Sequence, residues 1–312
     1  MATYKEIHGI NIQYRDSDAT AVEGDVWYNA STGLLKMHQS SGSWAAGGTL
    51  NTNERAMSAI CVGGITSPGG VTDVVEQYNG SAWSEVGDIN TARGTFAGGG
   101  GTSSSSVVAG GSPNLAICES WNDSTWTEVA NLTTGRQAAA SCGTSNTAAL
   151  IASGNPNLAI AELWNGASWS EVADLSTARS HCAGAGTTTA MLVITGYNPK
   201  TVNVESWNGT GWTEIANVNT ARYNLGGGGT STSAVIFGGN TPSIVNSTEQ
   251  YDGSSWTEVA NLATAGNDFG TGDSGDSGEL AIAISGSPPS GGGTRGTEEW
   301  TVAASVETIA FD

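Results

Sequence analysis

Short runs of apolar and β-branched residues alternate with turn residues through most of the chain. One stretch shows the pattern clearly, with strand-like runs at residues 221–226, 233–239, 247–251 and 255–260. Each run is short and is bounded by Gly, Asn or Pro, which is typical of β-strands joined by tight turns. The pattern therefore predicts an all-β protein built from four-stranded units.

The four-stranded unit repeats about every 43 residues. One aromatic column has spacings of 43, 43, 43 and 44 residues: Trp83, Trp126, Trp169, Trp212 and Trp256. A second column lies five residues ahead of the first: Tyr78, Trp121, Trp164, Trp207 and Tyr251. A period of this length with four antiparallel strands is typical of β-propeller blades. We expect both columns to fill the gaps between the blades.

Glycines mark two further features of each unit. Asn-Gly or Asp-Gly pairs such as Asn165–Gly166 and Asp252–Gly253 separate the third and fourth strands. These pairs favour the positive φ angles of a tight β-hairpin. The runs 98–101 and 226–229 are all glycine and fall on the first strand, where small residues suit the crowded centre of a propeller.

The repeat predicts six blades over residues 51–312, which leaves residues 1–50 as a small N-terminal β segment. This segment is expected to be a three-stranded meander with turns at residues 30–33 and 40–42, and its end at Trp44 mimics the fourth-strand motif. It either stands outside the ring as an arm or adds strands to the last blade. We favour an arm that docks on a partner through its apolar residues: Tyr4, Ile7, Ile10, Trp27, Tyr28 and Trp44.

The repeat resembles the kelch family. The resemblance rests on the Gly-Gly pair after the second strand, as at Gly110–Gly111 and Gly238–Gly239, and on a Tyr or Trp followed by a second Trp. It covers residues 52–312 and implies a kelch-like β-propeller. It does not imply one function, because kelch-like propellers include binding modules and enzymes.

The N-terminal segment resembles the N-terminal stretches of bacteriophage virion proteins. Residues 24–36 match a Gly-Asp-x-Trp-Tyr-Asn-x-x-Thr-Gly-x-Leu-Lys pattern that precedes a repeat region in those proteins. The resemblance implies a tail-fibre, tail-tip or capsid-surface protein that is present in multiple copies and docks on other virion proteins. The expected location is the virion surface, after synthesis in the host cytoplasm without a signal peptide.

Composition and charge exclude several classes of function. Ten Lys and Arg against 29 Asp and Glu give a net charge of −19, which repels nucleic acid phosphates. The chain lacks an apolar run long enough to span a membrane. Four scattered cysteines and three histidines do not form a metal-binding pattern, and we expect no metal and no cofactor.

Arginine is the most regular polar feature of the repeat. The arginines open the innermost strand of successive units: Arg55, Arg93, Arg136, Arg179 and Arg222. They either form a cationic collar that binds an acidic ligand or pair with fourth-strand acids as ties between blades. Those acids share the period, which favours ties: Glu85, Glu128, Glu171, Glu214 and Glu258.

The function expected from these features is a non-enzymatic phage virion component that displays its propeller for structure or for adhesion to a host-surface glycan or protein. A polysaccharide-active glycoside hydrolase and a cellular kelch-type interaction module are the alternatives. The Ser/Thr-rich turns at 101–106, 143–146, 186–189 and 229–232 are either a sugar-binding surface or ordinary solvated loops.

Overall fold

Twenty-five β-strands and no helix occur in the residues that the computed structural model describes, which are 13–15, 26–32, 34–47, 60–66, 70–79, 81–96, 98–272, 280–286 and 294–308. In these ranges no helix is long and apolar enough to cross a membrane. They also contain no group of three or more His, Cys, Asp or Glu residues placed to hold a metal ion. The predicted all-β fold class is confirmed.

The strands follow the repeat. Those before the repeat are β1 (Gln13–Arg15), β2 (Val26–Asn29) and β3 (Leu34–Ala46). Blade one contains β4 (Ile60–Thr66), β5 (Gly70–Tyr78) and β6 (Trp83–Glu85). Blade two contains β7 (Gly98–Thr102), β8 (Ser105–Gly111), β9 (Leu115–Trp121) and β10 (Trp126–Val129). Blade three contains β11 (Ala140–Ser145), β12 (Ala148–Ala152), β13 (Ala161–Trp164) and β14 (Trp169–Val172).

The remaining strands continue in the same order. Blade four contains β15 (Ala183–Thr187), β16 (Ala190–Ile194), β17 (Val204–Trp207) and β18 (Trp212–Glu214). Blade five contains β19 (Gly226–Gly229), β20 (Ala234–Phe237), β21 (Thr248–Tyr251) and β22 (Trp256–Val259). The last three strands are β23 (Gly270–Gly272), β24 (Leu280–Gly286) and β25 (Thr294–Thr308). The fold is a six-bladed β-propeller whose blades are antiparallel meanders.

The two aromatic columns lie between blades. Trp164 and Trp169 are opposite each other on β13 and β14, and they pack with Val107 and Ala109 of blade two in one buried cluster. The fourth-strand indoles also reach the preceding blade, since Trp256 Nε1 donates to the Ala216 carbonyl at 3.1 Å. Nine of the ten column residues are buried and Trp212 is half-buried.

The innermost strands of neighbouring blades touch through glycine backbones. A Cβ atom added to Gly100 on β7 would lie 2.5 Å from the Cα of Gly143 on β11, and one added to Gly184 on β15 would lie 2.3 Å from the Ser141 carbonyl oxygen. No side chain fits at such distances. The glycine runs are therefore required by the close approach of strands at the centre of the propeller.

This close approach gives the first prediction. Gly100→Ala is expected to lower the free energy of unfolding by about 1–3 kcal/mol, because the added methyl group forces two inner strands apart. Gly211→Ala is the matched control, since a Cβ there meets nothing within 4 Å. Urea denaturation measures both variants, and equal stability of the two would contradict the inner-strand packing.

The chain divides into two compact units, and residues from the N-terminal segment belong to each. One unit comprises residues 44–301, and the other comprises residues 1–43 with 302–312. The structure thus divides the chain at Trp44 and not near residue 50. The sheet order β1-β2-β3-β25-β24-β23 places β3 next to β25, and the last residues of β3, which belong to the larger unit, supply the fourth strand of blade six.

Residues 44–47, at the beginning of the larger unit, take the place of the fourth strand in the last blade. Gly47 N donates to the Thr297 carbonyl of β25 at 2.7 Å. The Trp44 ring lies 4.8 Å from that of Phe237 and 5.4 Å from that of Trp300. The preference for an arm outside the ring is therefore wrong in this region, and Trp44, expected at a docking surface, packs within the propeller.

The smaller unit contains β1, β2 and most of β3. β1 pairs with β2 in parallel, and β2 pairs with β3 as an antiparallel hairpin. The Asn29 carboxamide accepts hydrogen bonds from Ser31 N at 3.0 Å and Thr32 N at 3.1 Å, so the turn expected at residues 30–33 is present. The turn expected at 40–42 is absent, because β3, with 13 residues, continues through it beside β25, with 15 residues.

The other docking candidates divide between described and undescribed parts of the chain. Trp27 is fully buried and Tyr28 is half-buried. Tyr4, Ile7 and Ile10 lie outside the described residues. A fully buried Trp27 stabilises its own hairpin and is not available to a partner surface.

Candidate functional site

The repeated arginines form buried ion pairs. Each guanidinium group contacts a glutamate on the third strand of the blade that follows it in the chain: Arg93–Glu119, Arg136–Glu162, Arg179–Glu205 and Arg222–Glu249. In the pairs of Arg93 and Arg179 the nitrogen-to-oxygen distance is 2.7 Å, and the arginine side chains of all four pairs are 0% exposed. These groups are covered by protein and do not line a cationic collar. Arg55 lies outside the described residues.

The acid partner differs from the one expected. The fourth-strand glutamates are exposed on the strand edges: Glu85, Glu128, Glu171, Glu214 and Glu258. They lie directly opposite the third-strand glutamates, as with Glu171 and Glu162. Residues opposite each other on neighbouring strands repeat with the same period of about 43 residues. The period alone therefore could not show whether the third-strand or the fourth-strand glutamates pair with the arginines.

The arginine positions also join neighbouring blades through the main chain. The Arg179 carbonyl accepts a hydrogen bond from Gly154 N of blade three at 3.0 Å, and the Arg222 carbonyl accepts one from Gly196 N of blade four at 3.2 Å. The side chain meanwhile holds a glutamate of the following blade. Each arginine therefore links two blades, with its backbone on one and its guanidinium group on the other.

The sixth position in this series lacks the arginine. Gly266 replaces it, yet its carbonyl still accepts Gly239 N at 2.8 Å. The corresponding glutamate, Glu298, accepts only the Ala263 N–H at 2.9 Å among the described residues. A Cβ at Gly266 would lie 2.7 Å from the Phe269 ring, so Phe269 occupies the space beside this position.

A ring of main-chain hydrogen bonds runs across the same face of the blades. Ala138 N donates to the Phe96 carbonyl, His181 N to that of Ala138, Asn224 N to that of His181, and Asp268 N to that of Asn224, at 2.7 to 3.1 Å. Five equivalent non-glycine residues there have left-handed φ angles of 48° to 57°: Thr95, Ala138, His181, Asn224 and Asp268. Such strained positions often occur at functional sites.

One part of this face departs from the repeat. Tyr223 directly follows Arg222, where the equivalent residues of the other described repeats are Gly94, Gln137, Ser180 and Asn267. Tyr197 follows Gly196, where the equivalents are Ile65, Ser112, Asn155 and Asn240. Blade packing does not require aromatic side chains at these positions, because the other blades pack without them.

These residues form an aromatic cluster with His181. The ring centroids of Tyr197 and Tyr223 are 4.7 Å apart, and His181 lies 6.3 Å from Tyr197 and 6.5 Å from Tyr223 with its ring perpendicular to both. Tyr197 is 46% exposed. Sequence reasoning missed this cluster because it searched for repeated residues, whereas the signal was a break in the repeat.

The electrostatics of the cluster favour a neutral imidazole. Burial lowers the pKa of His181, and the nearby Asp268 carboxylate only partly opposes this shift. His181 Nδ1 lies 2.9 Å from Ser180 Oγ. The cluster therefore offers aromatic faces and neutral hydrogen-bonding groups near neutral pH.

The lowered pKa of His181 makes stability depend on pH. In the unfolded chain the His181 imidazole takes up a proton as the pH falls through about 6.5, whereas in the folded protein it stays neutral to a lower pH. The stability that the neutral imidazole contributes above that pH is therefore lost as the pH falls below it. His181→Asn should remove this component, and Asn suits the left-handed backbone as it does at Asn224. When the pH is lowered from about 7.5 to about 5.5, the melting temperature should fall more for the wild type than for His181→Asn. An equal fall for the two proteins would contradict the prediction.

The opposite ends of the strands carry self-contained turns. Each third-to-fourth-strand hairpin is closed by an Asn or Asp side chain, as where Asn165 Oδ1 accepts Ala167 N and Ser168 N at 2.9 Å each. The backbone N–H groups of Ser255 and Ser254 lower the pKa of Asp252 to about 2. Hydroxyl groups of the Ser/Thr-rich turns also contact each other, as in Ser145 and Thr147 at 2.9 Å. These polar groups stabilise their own turns.

The four cysteines are buried. Burial raises the pKa of the Cys118 thiol to about 11 and also raises that of Cys182. A thiol that stays protonated at neutral pH is a poor nucleophile. These residues act as small apolar side chains in the core.

Comparisons with known proteins bear on the fold. No protein-family model matches the sequence, and no curated protein matches it. Among solved structures, the chain is similar to one described as "Structure of YjhT", with a TM-score of 0.64 and 12% sequence identity over 83% of this chain and 99% of that chain. At this identity the similarity supports the propeller fold alone.

Proposed function

We propose that this protein is a non-enzymatic binding propeller of the kelch type, carried on the surface of a phage particle and used for adhesion to the host surface. The main support for a binding role is that the repeated charged side chains are buried and paired with each other. The described arginines and third-strand glutamates form ion pairs inside the blades. In contrast, the face that carries the ring of main-chain hydrogen bonds departs from the repeat with exposed aromatic and neutral polar groups.

The geometry of the glutamates favours binding over glycoside hydrolysis. A hydrolase needs two carboxyl groups on either side of the scissile bond. Glu119, Glu162, Glu205 and Glu249 are at most 1% exposed and are held by arginine. The fourth-strand glutamates lie on exposed outer edges. Neither set places a carboxylate pair at the aromatic cluster.

The placement on a phage particle is supported by the pattern at residues 24–36. Within that pattern, Trp27 and Asn29 are buried and Asn29 shapes the hairpin turn, so these two residues maintain the structure of the segment. Other virion proteins are then the partners of this segment, and a host-surface molecule is the partner of the propeller. Multiple copies on one particle would strengthen adhesion even where each single site binds weakly.

Two measurements test the proposal. Antibodies against the propeller should label intact particles produced from the genome that encodes the chain, and the purified protein should bind host-surface glycans without releasing products detectable by chromatography. Release of shortened oligosaccharides would replace the proposal with a hydrolase. Binding without any labelling of particles would replace the virion role with a cellular interaction module.

A further inference from the structure

The aromatic cluster of His181, Tyr197 and Tyr223 has the properties of a ligand site. Exposed large apolar side chains are few among the described residues, and they are Leu34, Val71 and Tyr197. Of these three, Tyr197 is the aromatic residue, and its ring packs against that of Tyr223 at a centroid distance of 4.7 Å. Because the other described repeats carry no aromatic residue at the equivalent positions, the cluster is an addition to the scaffold.

The ring geometry and the overall charge narrow the class of ligand. An aromatic cage for a cation needs room for the cation between ring faces, within about 6 Å of each centroid. The Tyr197 and Tyr223 rings are already in contact and leave no such gap. Stacked bases of a nucleic acid are disfavoured because a protein of net charge −19 repels the phosphates that accompany them. The apolar face of a sugar ring can stack on an exposed tyrosine, and it needs neither a gap between the two rings nor the accommodation of phosphate groups.

Unpaired acceptors lie on either side of the cluster along the ring of main-chain hydrogen bonds. The positions equivalent to Tyr223 carry Gln137 in blade three and Asn267 before blade six. Gln137 Oε1 and Asn267 Oδ1 are buried atoms that accept no hydrogen bond from any described residue, and Asn267 is only 9% exposed. A buried acceptor without a donor is costly, so a ligand hydroxyl group that reaches either atom relieves this cost.

We propose that this cluster binds a pyranose residue of a neutral glycan. Tyr197, supported by Tyr223, stacks on the apolar face of the sugar, and hydroxyl groups of the glycan donate hydrogen bonds to the carbonyl oxygens of Asn267 and Gln137. The neutral His181 imidazole is a further partner for a hydroxyl group. This proposal rests on the proposed adhesion function and names its site and its class of ligand.

Titration calorimetry with maltohexaose, cellohexaose and chitohexaose tests the site on the full-length protein. The wild type is expected to bind at least one of them, Tyr197→Ala to weaken that binding about tenfold or more, and Tyr197→Phe to retain most of it. Asn267→Leu should also weaken binding, since it removes the acceptor. Val71→Ala is the matched control, because it truncates an exposed apolar side chain on β5 and should leave the affinity unchanged.

The outcomes separate this site from the proposed function. If the wild type binds and Tyr197→Ala has the affinity of Val71→Ala, the site assignment is wrong while adhesion stands. Lys200 is an exposed cation three residues after Tyr197. If Lys200→Gln weakens binding and a hyaluronan oligosaccharide binds more tightly than the neutral probes, the ligand is acidic and the proposal is overturned. If the wild type binds host cells but none of the glycans, the site assignment fails while adhesion stands, and if it binds neither, both fail. Melting temperatures of the variants exclude unfolding as a cause.

Discussion

Deletion of residues 1–47 is expected to abolish cooperative folding, whereas deletion of residues 1–43 leaves a folded propeller. The two proteins differ only in Trp44, Ala45, Ala46 and Gly47. These residues pair with β25 through the Gly47–Thr297 hydrogen bond and place Trp44 against Phe237 and Trp300. Their loss exposes a strand edge and an apolar surface where the ring closes, so the cost should exceed the roughly 3–5 kcal/mol of one large-to-small core substitution.

Thermal unfolding monitored by circular dichroism, together with gel filtration, measures the difference between the two deletions. The shorter protein should aggregate or melt without a cooperative transition, and the one that keeps Trp44 should remain monodisperse with a sharp transition. A soluble propeller that lacks residues 1–47 and melts like the longer form would show that blade six closes without this strand. That result would restore the arm outside the ring.

Arg179→Met is expected to destabilise the protein by about 3–5 kcal/mol, because it leaves the Glu205 carboxylate buried without its cation. Glu205 also accepts Ser176 N at 2.7 Å, and Arg179 Nη2 donates to the Val193 carbonyl at 3.3 Å. Glu205→Gln alone should be similarly costly, since it strands the guanidinium group. Replacing both residues together removes both charges and should recover part of the loss.

A double-mutant cycle in urea measures this coupling. The matched control is Glu214→Gln, which neutralises the exposed glutamate opposite Glu205 on β18 and should change stability by no more than about 0.5 kcal/mol. If Glu214→Gln is as costly as Glu205→Gln, then the fourth-strand acid is the partner, as the repeat alone had suggested. Additive effects of Arg179→Met and Glu205→Gln would show that the two side chains do not interact in solution.

The local features of the blades could be predicted from the sequence because they depend on residues close together in the chain. Asn165 closes its hairpin with the N–H groups two and three residues later, and the β13–β14 pairing aligns Trp164 with Trp169. Turn chemistry and the alternation of buried residues suffice for such short-range choices. The number of blades also followed from the repeat.

The partner of each arginine could not be predicted in the same way. Glu162 and Glu171 are opposite residues on neighbouring strands, so they repeat together and point to the same face of the sheet, yet Glu162 is buried and Glu171, on the edge strand, is exposed. Which of the two is covered depends on the neighbouring blade. The aromatic cluster was missed for a related reason, since Tyr197 and Tyr223 come from different blades and meet only after the ring has formed.

The sequence by itself determined the all-β class, the four-stranded unit, the six-fold repetition and the hairpin turns, because each depends on local backbone preference and on apolar spacing within one unit. The tertiary structure decided how the ring closes, which glutamate each arginine meets and where the repeat is broken on the surface. Closure joins β3 to β25 from opposite ends of the chain, and the energy that selects this pairing comes from burying Trp44 and completing the hydrogen bonds of a strand edge. Long-range pairing of this kind has no local signature, so even the turn-forming residues at 40–42 became part of a continuous strand.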